Sequence, residues 1–468
     1  MQNKTAYIWG IASRFLPQTI YLGTTMILAR FLTPDDFGEI GVLSIIFLVA
    51  NILLDSGLGG SLVKEKFITP IDCSTIQIFN LIVSLFIYLF LFLSASIFES
   101  FFEIDGISNV LRVISLVFPI SAFGIVPKAI LNRGLKFKIV FYNSLIGVIV
   151  GSISAIFLAV NGGGVYALVS YQIVNVATSV FFNYISSKYK FSIAFSLFSL
   201  KKLLPFGVLT TLVTVIDTVY ENLITTLTGK YLNVQQAGYM YQAKRIEETM
   251  SNSLAVAIST VAFPVLTKIK DDKVLFLKEA DSTFKTLVCL TFPLLMCVAI
   301  FSKEIVFFLF GEQWLAAAFY LEALTFAGMF ILMETLIRNF IKALCEVRKL
   351  FYATLFKRSI GIIIILIATM ISPSLAIYAY IISSLIAYIV NMALYCFLLH
   401  NSFFKRFIEC FVYLFPSLIL YILLKYSFVA DCDLLIKIMI SFILLLIIYF
   451  IALPLLGVNI LNWLRKTT

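Results

Sequence analysis

Apolar residues in this chain come in long unbroken blocks, not in the alternation of a half-buried strand or the one-sided stripe of a soluble helix. The blocks fall near residues 8–29, 39–62, 76–98, 111–131, 139–160, 165–187 and 204–227, then 238–267, 284–310, 317–341, 352–371, 374–399, 408–428 and 434–456. Coiled as a helix, each is about long enough to cross a hydrocarbon layer roughly 30 Å thick. The pattern predicts an all-α polytopic membrane protein of about fourteen transmembrane helices. Polar connectors between the blocks are short. "NGGG" at 161–164 and "SPS" at 372–374 read as tight reversals. "NGGG" has a superficial likeness to a phosphate cradle, but no preceding strand and no Gly-Lys-Ser/Thr partner accompany it.

Composition agrees with the pattern. Of 468 residues, 61% are hydrophobic and 13% charged, with a mean hydropathy of +1.03; a soluble domain carries about 25% charged residues. The first residues lack a short apolar core followed by a small-residue cleavage site, so they read as a retained first span. The 7 Cys form no CxxC pair, and the single His400 cannot hold a metal alone.

The net charge of +10 raises nucleic acid as a partner. Its distribution answers differently. Roughly four in five of the connector Lys and Arg lie in one alternate set, from Lys4 and Lys64 through Lys342, Arg348, Lys349, Lys357 and Arg358 to Lys466. The opposite set holds only Arg30, Arg112, Lys230, Lys303, Lys425 and Lys437. This asymmetry puts both termini in the cytoplasm, requires an even number of spans and accounts for the charge as topogenic, with no nucleic acid involved.

Within that layout a short connector occurs twice. "RFLTPDDFGEIGVL" at 30–43 and "KYLNVQQAGYMYQA" at 230–243 align at an offset of 200, matching Arg30 with Lys230, Phe31 with Tyr231, Leu32 with Leu232 and Gly38 with Gly238. Both copies follow a span running outward, so the repeat is parallel. It predicts an N-lobe over 1–190, a C-lobe over 200–400, each of six helices, and two further helices over 401–468. Repeat-built transporters place their substrate path between such halves.

"ARFLTPDDFGEIGVL" and "LLDSGLGGSLVKEK", within 29–66, resemble the N-terminal signature of bacterial polysaccharide flippases of the Wzx type. These form part of the polysaccharide-transport branch of the multidrug/oligosaccharidyl-lipid/polysaccharide (MOP) exporter superfamily. Further matches are "LLPFGVLTTLV" with "YENLITTLTGKYLNVQQAGYMYQAKRIEE" inside 203–272, and "LFGEQWLAAAFYLEAL" at 309–324. The resemblance implies V-shaped alternating access in a bacterial inner membrane, moving an undecaprenyl-pyrophosphate-linked oligosaccharide from the cytoplasmic to the periplasmic leaflet for O-antigen, capsule or exopolysaccharide synthesis. It implies no catalysis and no cofactor, with H⁺ or Na⁺ coupling left open, and a polysaccharide polymerase and chain-length regulator as partners. The chain departs from many relatives where "ITTLT" at 224–228 replaces an acid near the end of span 7.

Such a cargo needs a wet, cationic cavity. A sugar hydroxyl stripped of water without a partner costs on the order of 1–3 kcal/mol, and an ionised pyrophosphate far more. Arg14, Lys128, Lys244, Arg245 and Arg338 are the basic residues left outside the connectors. Arg14 and Lys244 are the leading cavity candidates. Lys128 and Arg338, near span ends, are candidates that can also snorkel. Among the acids, Glu248 stands i+4 from Lys244 and Glu334 stands i−4 from Arg338, so each fits an intrahelical pair, with a place facing the C-lobe cavity as the alternative for Glu334. Asp217 and Glu221 are also i, i+4, and suit either ion coupling or a structural ion network. Asp55 matches the family signature and joins the same ion-coupling or structural-network group, or it caps a helix break among the glycines. Tyr220, Tyr239 and Tyr241 suit sugar stacking or an interfacial belt. Asn80, Asn143, Gln172, Asn175, Asn183 and Asn222 suit glycan contacts or interhelical bonds.

Two other functions compete. A cation-coupled multidrug antiporter predicts the same repeat but buried acids in its N-lobe, where this sequence places Arg14. A membrane polymerase or glycosyltransferase finds support only in "DCD" at 431–433, which the charge pattern puts outside the cell, away from nucleotide sugars.

Overall fold

The structure, a computed structural model, describes residues 16–55, 58–65 and 67–426, together with 440 and 444. Helices follow one another with short turns: α1 (16–28), α2 (Pro34–Asp55), α3 (Leu58–Lys64), α4 (Pro70–Phe102), α5 (Ile107–Ile114), α6 (Val117–Arg133), α7 (Phe137–Val160) and α8 (Tyr166–Ser187). They continue as α9 (Leu197–Tyr231), α10 (Val234–Lys268), α11 (Lys273–Ile300), α12 (Ser302–Phe310), α13 (Ala317–Ala343), α14 (Val347–Ile371), α15 (Ala376–Leu399) and α16 (Phe403–Tyr426). Over their described residues, the predicted spans from 8–29 to 408–428 fall on one or two of these helices, with 8–15 and 427–428 outside the described residues; the last, 434–456, lies outside them apart from 440 and 444, as does the "DCD" at 431–433. Among the described residues, 9 stretches are long and apolar enough to cross a membrane. The chain is a multi-pass membrane protein.

Local chemistry sets the helix ends. Thr69 Oγ1 accepts from the Asp72 amide at 3.2 Å while Asp72 Oδ2 accepts from the Thr69 amide at 2.9 Å. This capping box, with Pro70 in the first turn, starts α4. Asp272 does the same for α11, accepting from the Val274 and Leu275 amides. The "NGGG" reversal is a turn: Gly162 and Gly164 take φ +76° and +49°, a region that glycine enters without a Cβ clash. Pro373 opens a single 3₁₀ turn at the "SPS" reversal.

The helices are arranged inside out relative to a soluble protein. Along α4, Ile82, Phe86, Leu93 and Ile97 are exposed on the side that meets lipid, whereas Gln77, Asn80 and Ser84 are buried. Gln77 Nε2 donates to the Ala122 carbonyl of α6 at 2.9 Å, an interhelical bond inside the bundle.

The described chain divides into two compact units, residues 1–241 and 242–468, with the boundary inside α10. In the first unit α7 packs along α8, α6 lies against α4 and α8, and α2 runs along α9. Small apolar cores join α2, α4 and α6 through Ala50, Leu54, Leu91, Phe118 and Ala122, and α3, α4 and α6 through Leu58, Cys73, Ile76 and Val126. In the second unit one large core joins α11, α13, α15 and α16, around Phe292, Met296, Met333, Tyr388 and Leu424.

The duplicated connectors meet each other inside the first unit. A Cβ built on Gly38 would stand 2.8 Å from the Val234 carbonyl carbon, and one on Gly238 would stand 2.8 Å from the Pro34 carbonyl carbon. Position 34 faces 238, and 38 faces 234. This reciprocity at the offset of 200 is what a local two-fold relation between repeats requires. Nearby, Lys230 Nζ donates to Glu103 Oε1 at 2.6 Å and lies 5.2 Å from the Phe101 ring centroid. That bond holds the Glu103 carboxyl below the usual carboxylate range.

Two expectations are corrected. Lys357 and Arg358, counted with the cytoplasmic connector, lie well inside α14 and are 1% and 2% exposed. Tyr220 and Tyr239 are 1% and 7% exposed, which excludes the interfacial belt for both.

Candidate functional site

Four residues of α6 lie on one helical face: Ser121, Gly124, Ile125 and Lys128, at i, i+3, i+4 and i+7. They line a cavity of about 420 Å³ in the first unit. Its opposite wall is a matching face of α8, with Asn175, Ser179 and Asn183 at i, i+4 and i+8, and α7 adds Ser144 and Val148. The chamber has a mixed wall, in which these hydroxyls and amides and one cation at the α6 side alternate with Pro17, Ile125, Val148, Val176 and Val180. A single-residue overlap does not explain it; three helices contribute polar groups in phase.

The amides are held in place. Asn143 Nδ2 donates to Asn183 Oδ1 at 2.9 Å, joining α7 to α8 beside the chamber. Lys128 makes no ion pair or hydrogen bond among the described residues. Its side chain is exposed, and it borders a second cavity of about 250 Å³ lined by Gly59, Gly60, Val63, Ile125, Ala129 and Asn132. Pro127, beside it, lacks an N–H and so interrupts the α6 bonding ladder at this level.

The other basic candidates are differently placed. Lys244 is buried, and its Nζ lies 3.4 Å from Glu248 Oε1. Arg338 Nη2 lies 3.7 Å from Glu334 Oε2. Arg14 lies outside the described residues. Asp55 is the last described residue of α2; its side chain and residues 56–57 lie outside the described residues. Asp217 and Glu221 stand one turn apart on α9, both half-buried. Asn222 Nδ2 donates to the Thr218 carbonyl of its own helix at 2.9 Å.

A second polar centre occupies the interior of the second unit. Glu334 of α13 is 1% exposed and accepts from Lys357 Nζ of α14 and from Asn391 Nδ2 of α15, the latter at 2.7 Å. With Arg338 and the buried Arg358 close by, three cations surround one carboxylate. Asn391 is 0% exposed. This centre ties three helices together at a point sealed from solvent, so it serves packing more directly than cargo access. Sequence reading missed Lys357, Arg358 and Asn391 here, and Ser121, Ser144 and Ser179 in the chamber. For the chamber a signal existed in the polar i, i+4, i+8 series on α8. Among the described residues, no group of three or more His, Cys, Asp and Glu is placed to hold a metal.

Apolar outer faces, a chamber with polar groups in the first unit and a buried ionic centre in the second are those of a helical multi-pass membrane protein, and its fold is like that of solved transporters. The lipid II flippase MurJ, in an inward closed conformation, superposes with a TM-score of 0.76 over 96% of this chain and 99% of that one, at 19% identity. An inward-facing multidrug resistance MATE transporter of the MOP superfamily gives 0.65 over 82% and 94%, at 14% identity.

Residues 27–319 match the family described as polysaccharide biosynthesis protein, and the chain belongs to that family. It is 23% identical over 354 residues to an uncharacterised membrane protein in the cps region of Klebsiella pneumoniae, covering 72% of this chain and 73% of the relative. The lipopolysaccharide biosynthesis protein WzxC of Escherichia coli is 24% identical over 308 residues, 65% of this chain and 62% of its own length.

Proposed function

We propose that this protein is a flippase, carrying an undecaprenyl-pyrophosphate-linked oligosaccharide from the cytoplasmic to the periplasmic leaflet of a bacterial inner membrane by alternating access. The observation that carries the reading is the chamber on α6, α7 and α8, with Lys128 as its cation. Serine hydroxyls and asparagine amides replace the water that sugar hydroxyls lose, and an uncompensated ammonium attracts a diphosphate. Family membership supports a role in polysaccharide biosynthesis. A cationic chamber opposes the multidrug reading, because a positively charged drug would meet a like charge there. Both termini lie in the cytoplasm in this reading, a polymerase and a chain-length regulator act on the product, and the protein performs no catalysis.

Lys128→Ala is expected to lower surface polysaccharide at least about tenfold, the equivalent of ~1.4 kcal/mol of lost interaction, with unchanged protein in the membrane. Lys128→Arg should retain most export, because it keeps the charge. Immunoblots of surface glycan together with membrane-fraction protein decide this; full export by the alanine variant overturns the reading.

Coupling to H⁺ or Na⁺ is assigned to Asp217 and Glu221, two carboxylates stacked one turn apart. The doubly amidated variant, Asp217→Asn with Glu221→Gln, is expected to make export insensitive to collapse of the proton or sodium gradient. Unaltered gradient dependence removes that assignment.

A further inference from the structure

The two cavities on α6 share Ile125 and Lys128 and differ in chemistry. On one side the walls carry Ser121, Ser144, Asn175, Ser179 and Asn183. On the other, about 250 Å³ is bounded by Gly59, Gly60, Val63, Ile125 and Ala129, with Asn132 as its one uncharged polar side chain. Five serine and asparagine side chains lie on one side of the Lys128 ammonium, among valines, and Asn132 alone on the other. A molecule that is sugar at one end, diphosphate in the middle and hydrocarbon at the other presents the same order of chemistry.

Building on the proposed function, we infer that the smaller cavity receives the first isoprenoid units of the lipid carrier, while Lys128 holds the diphosphate and the larger chamber takes the reducing-end sugars. The cleft between α3 and α6 is open where it needs to be. Gly60 has no heavy atom within 4 Å of the position its Cβ would take, so the wall is free of side chain at this point. The cleft is also fixed in width. Arg133, at the end of α6, donates to the Leu62 carbonyl of α3 at 3.0 Å and to the Glu65 carbonyl beyond it. Leu58, Leu62, Val126 and Ala129 pack the floor into a buried core. The hydrocarbon therefore meets a preformed apolar slot beside the cation and has no need to follow the sugar into the polar chamber.

Charge complementarity and continuity through Lys128 commit the slot to a prenyl diphosphate over a free diphosphate. Polyprenyl chains are apolar and flexible, so burying their first units next to the charge both stabilises the bound state and fixes which way the head group points.

The test uses the full-length protein in detergent micelles with two probes, geranylgeranyl diphosphate and inorganic pyrophosphate, measured by competition against a photoreactive geranylgeranyl diphosphate. Gly60→Leu projects into the slot from a position whose Cβ has no heavy atom within 4 Å, so the variant should fold. The expected result is about a tenfold loss of affinity for geranylgeranyl diphosphate in Gly60→Leu with pyrophosphate affinity unchanged, and loss of both in Lys128→Ala. In the wild type, label should map to residues 58–64 or 125–132. Equal geranylgeranyl diphosphate affinity in wild type and Gly60→Leu, with pyrophosphate still bound, overturns the slot and leaves the flippase reading standing. Unchanged binding of both probes in Lys128→Ala overturns the flippase reading itself.

Discussion

Gly38→Ala is expected to abolish export, and Gly238→Ala to do the same. In an ordinary helix interior, glycine to alanine stabilises by roughly 0.5–1 kcal/mol, so propensity alone forecasts a small gain. Geometry reverses the sign. Gly38 lies within α2 and Gly238 within α10, and the added methyl at either position would collide with the backbone of the other connector, at the carbonyl of Val234 or of Pro34. Backbone cannot rotate away as a side chain can. Overpacking of this kind costs about 1–3 kcal/mol even where side chains yield. Each single variant should therefore lower surface polysaccharide more than about tenfold. Gly23→Ala in α1 supplies the control, because its Cβ meets nothing within 4 Å; it should export normally and resist heat as well as the parent. Normal export by Gly38→Ala would show that the two connectors separate without cost and that their close approach has no functional weight.

Lys357→Met is expected to have the largest effect on stability. It leaves Glu334, 1% exposed, without its closest cation in a region sealed from water. Breaking a buried ion pair on one side costs roughly 3–5 kcal/mol, whereas replacing both charges with uncharged groups of similar size can be nearly neutral. Here Arg338 and Asn391 also reach Glu334, so the low end of that range applies. The measurement is the half-life of the monodisperse protein at raised temperature in detergent, since unfolding of such a protein is irreversible. The single variant should lose native protein many times faster. Adding Glu334→Gln should recover part of the loss, because it removes the orphaned charge. Identical half-lives for wild type and Lys357→Met would mean that Glu334 is neutral or satisfied by its other neighbours, and the ionic centre would then be no structural clasp.

Much of the architecture was legible from sequence because a bilayer imposes a single severe rule. A span must satisfy its own backbone and face lipid with apolar side chains over a fixed length. The blocks from 76–98 to 374–399 therefore announce helices whatever their neighbours are. The repeat was legible for a related reason: Gly38 and Gly238 are constrained by backbone contact, which leaves a mark in residue type. Lys244 with Glu248 and Arg338 with Glu334 were legible as pairs because helical spacing alone brings them together.

What stayed hidden depended on facing. Asn175 and Asn183 stood out as polar residues in a span, but Ser179, Ser144 and Ser121 did not, because a hydroxyl in a helix can satisfy itself on its own turn. Lys357 and Arg358 were read as connector charges because they sit in the first half of their span and cations near a span end normally snorkel. Only the approach of α13 and α15, bringing Glu334 and Asn391 to the same point, shows that they turn inward. By itself, then, the sequence determined the membrane-spanning helices, the duplicated connector and the intrahelical ion pairs, all consequences of length, periodicity and local spacing. The tertiary structure alone decided which polar groups share a cavity and which charges meet across helices. Those outcomes depend on the rotation of each helix about its own axis, a quantity set by packing between distant segments and by nothing within any one of them.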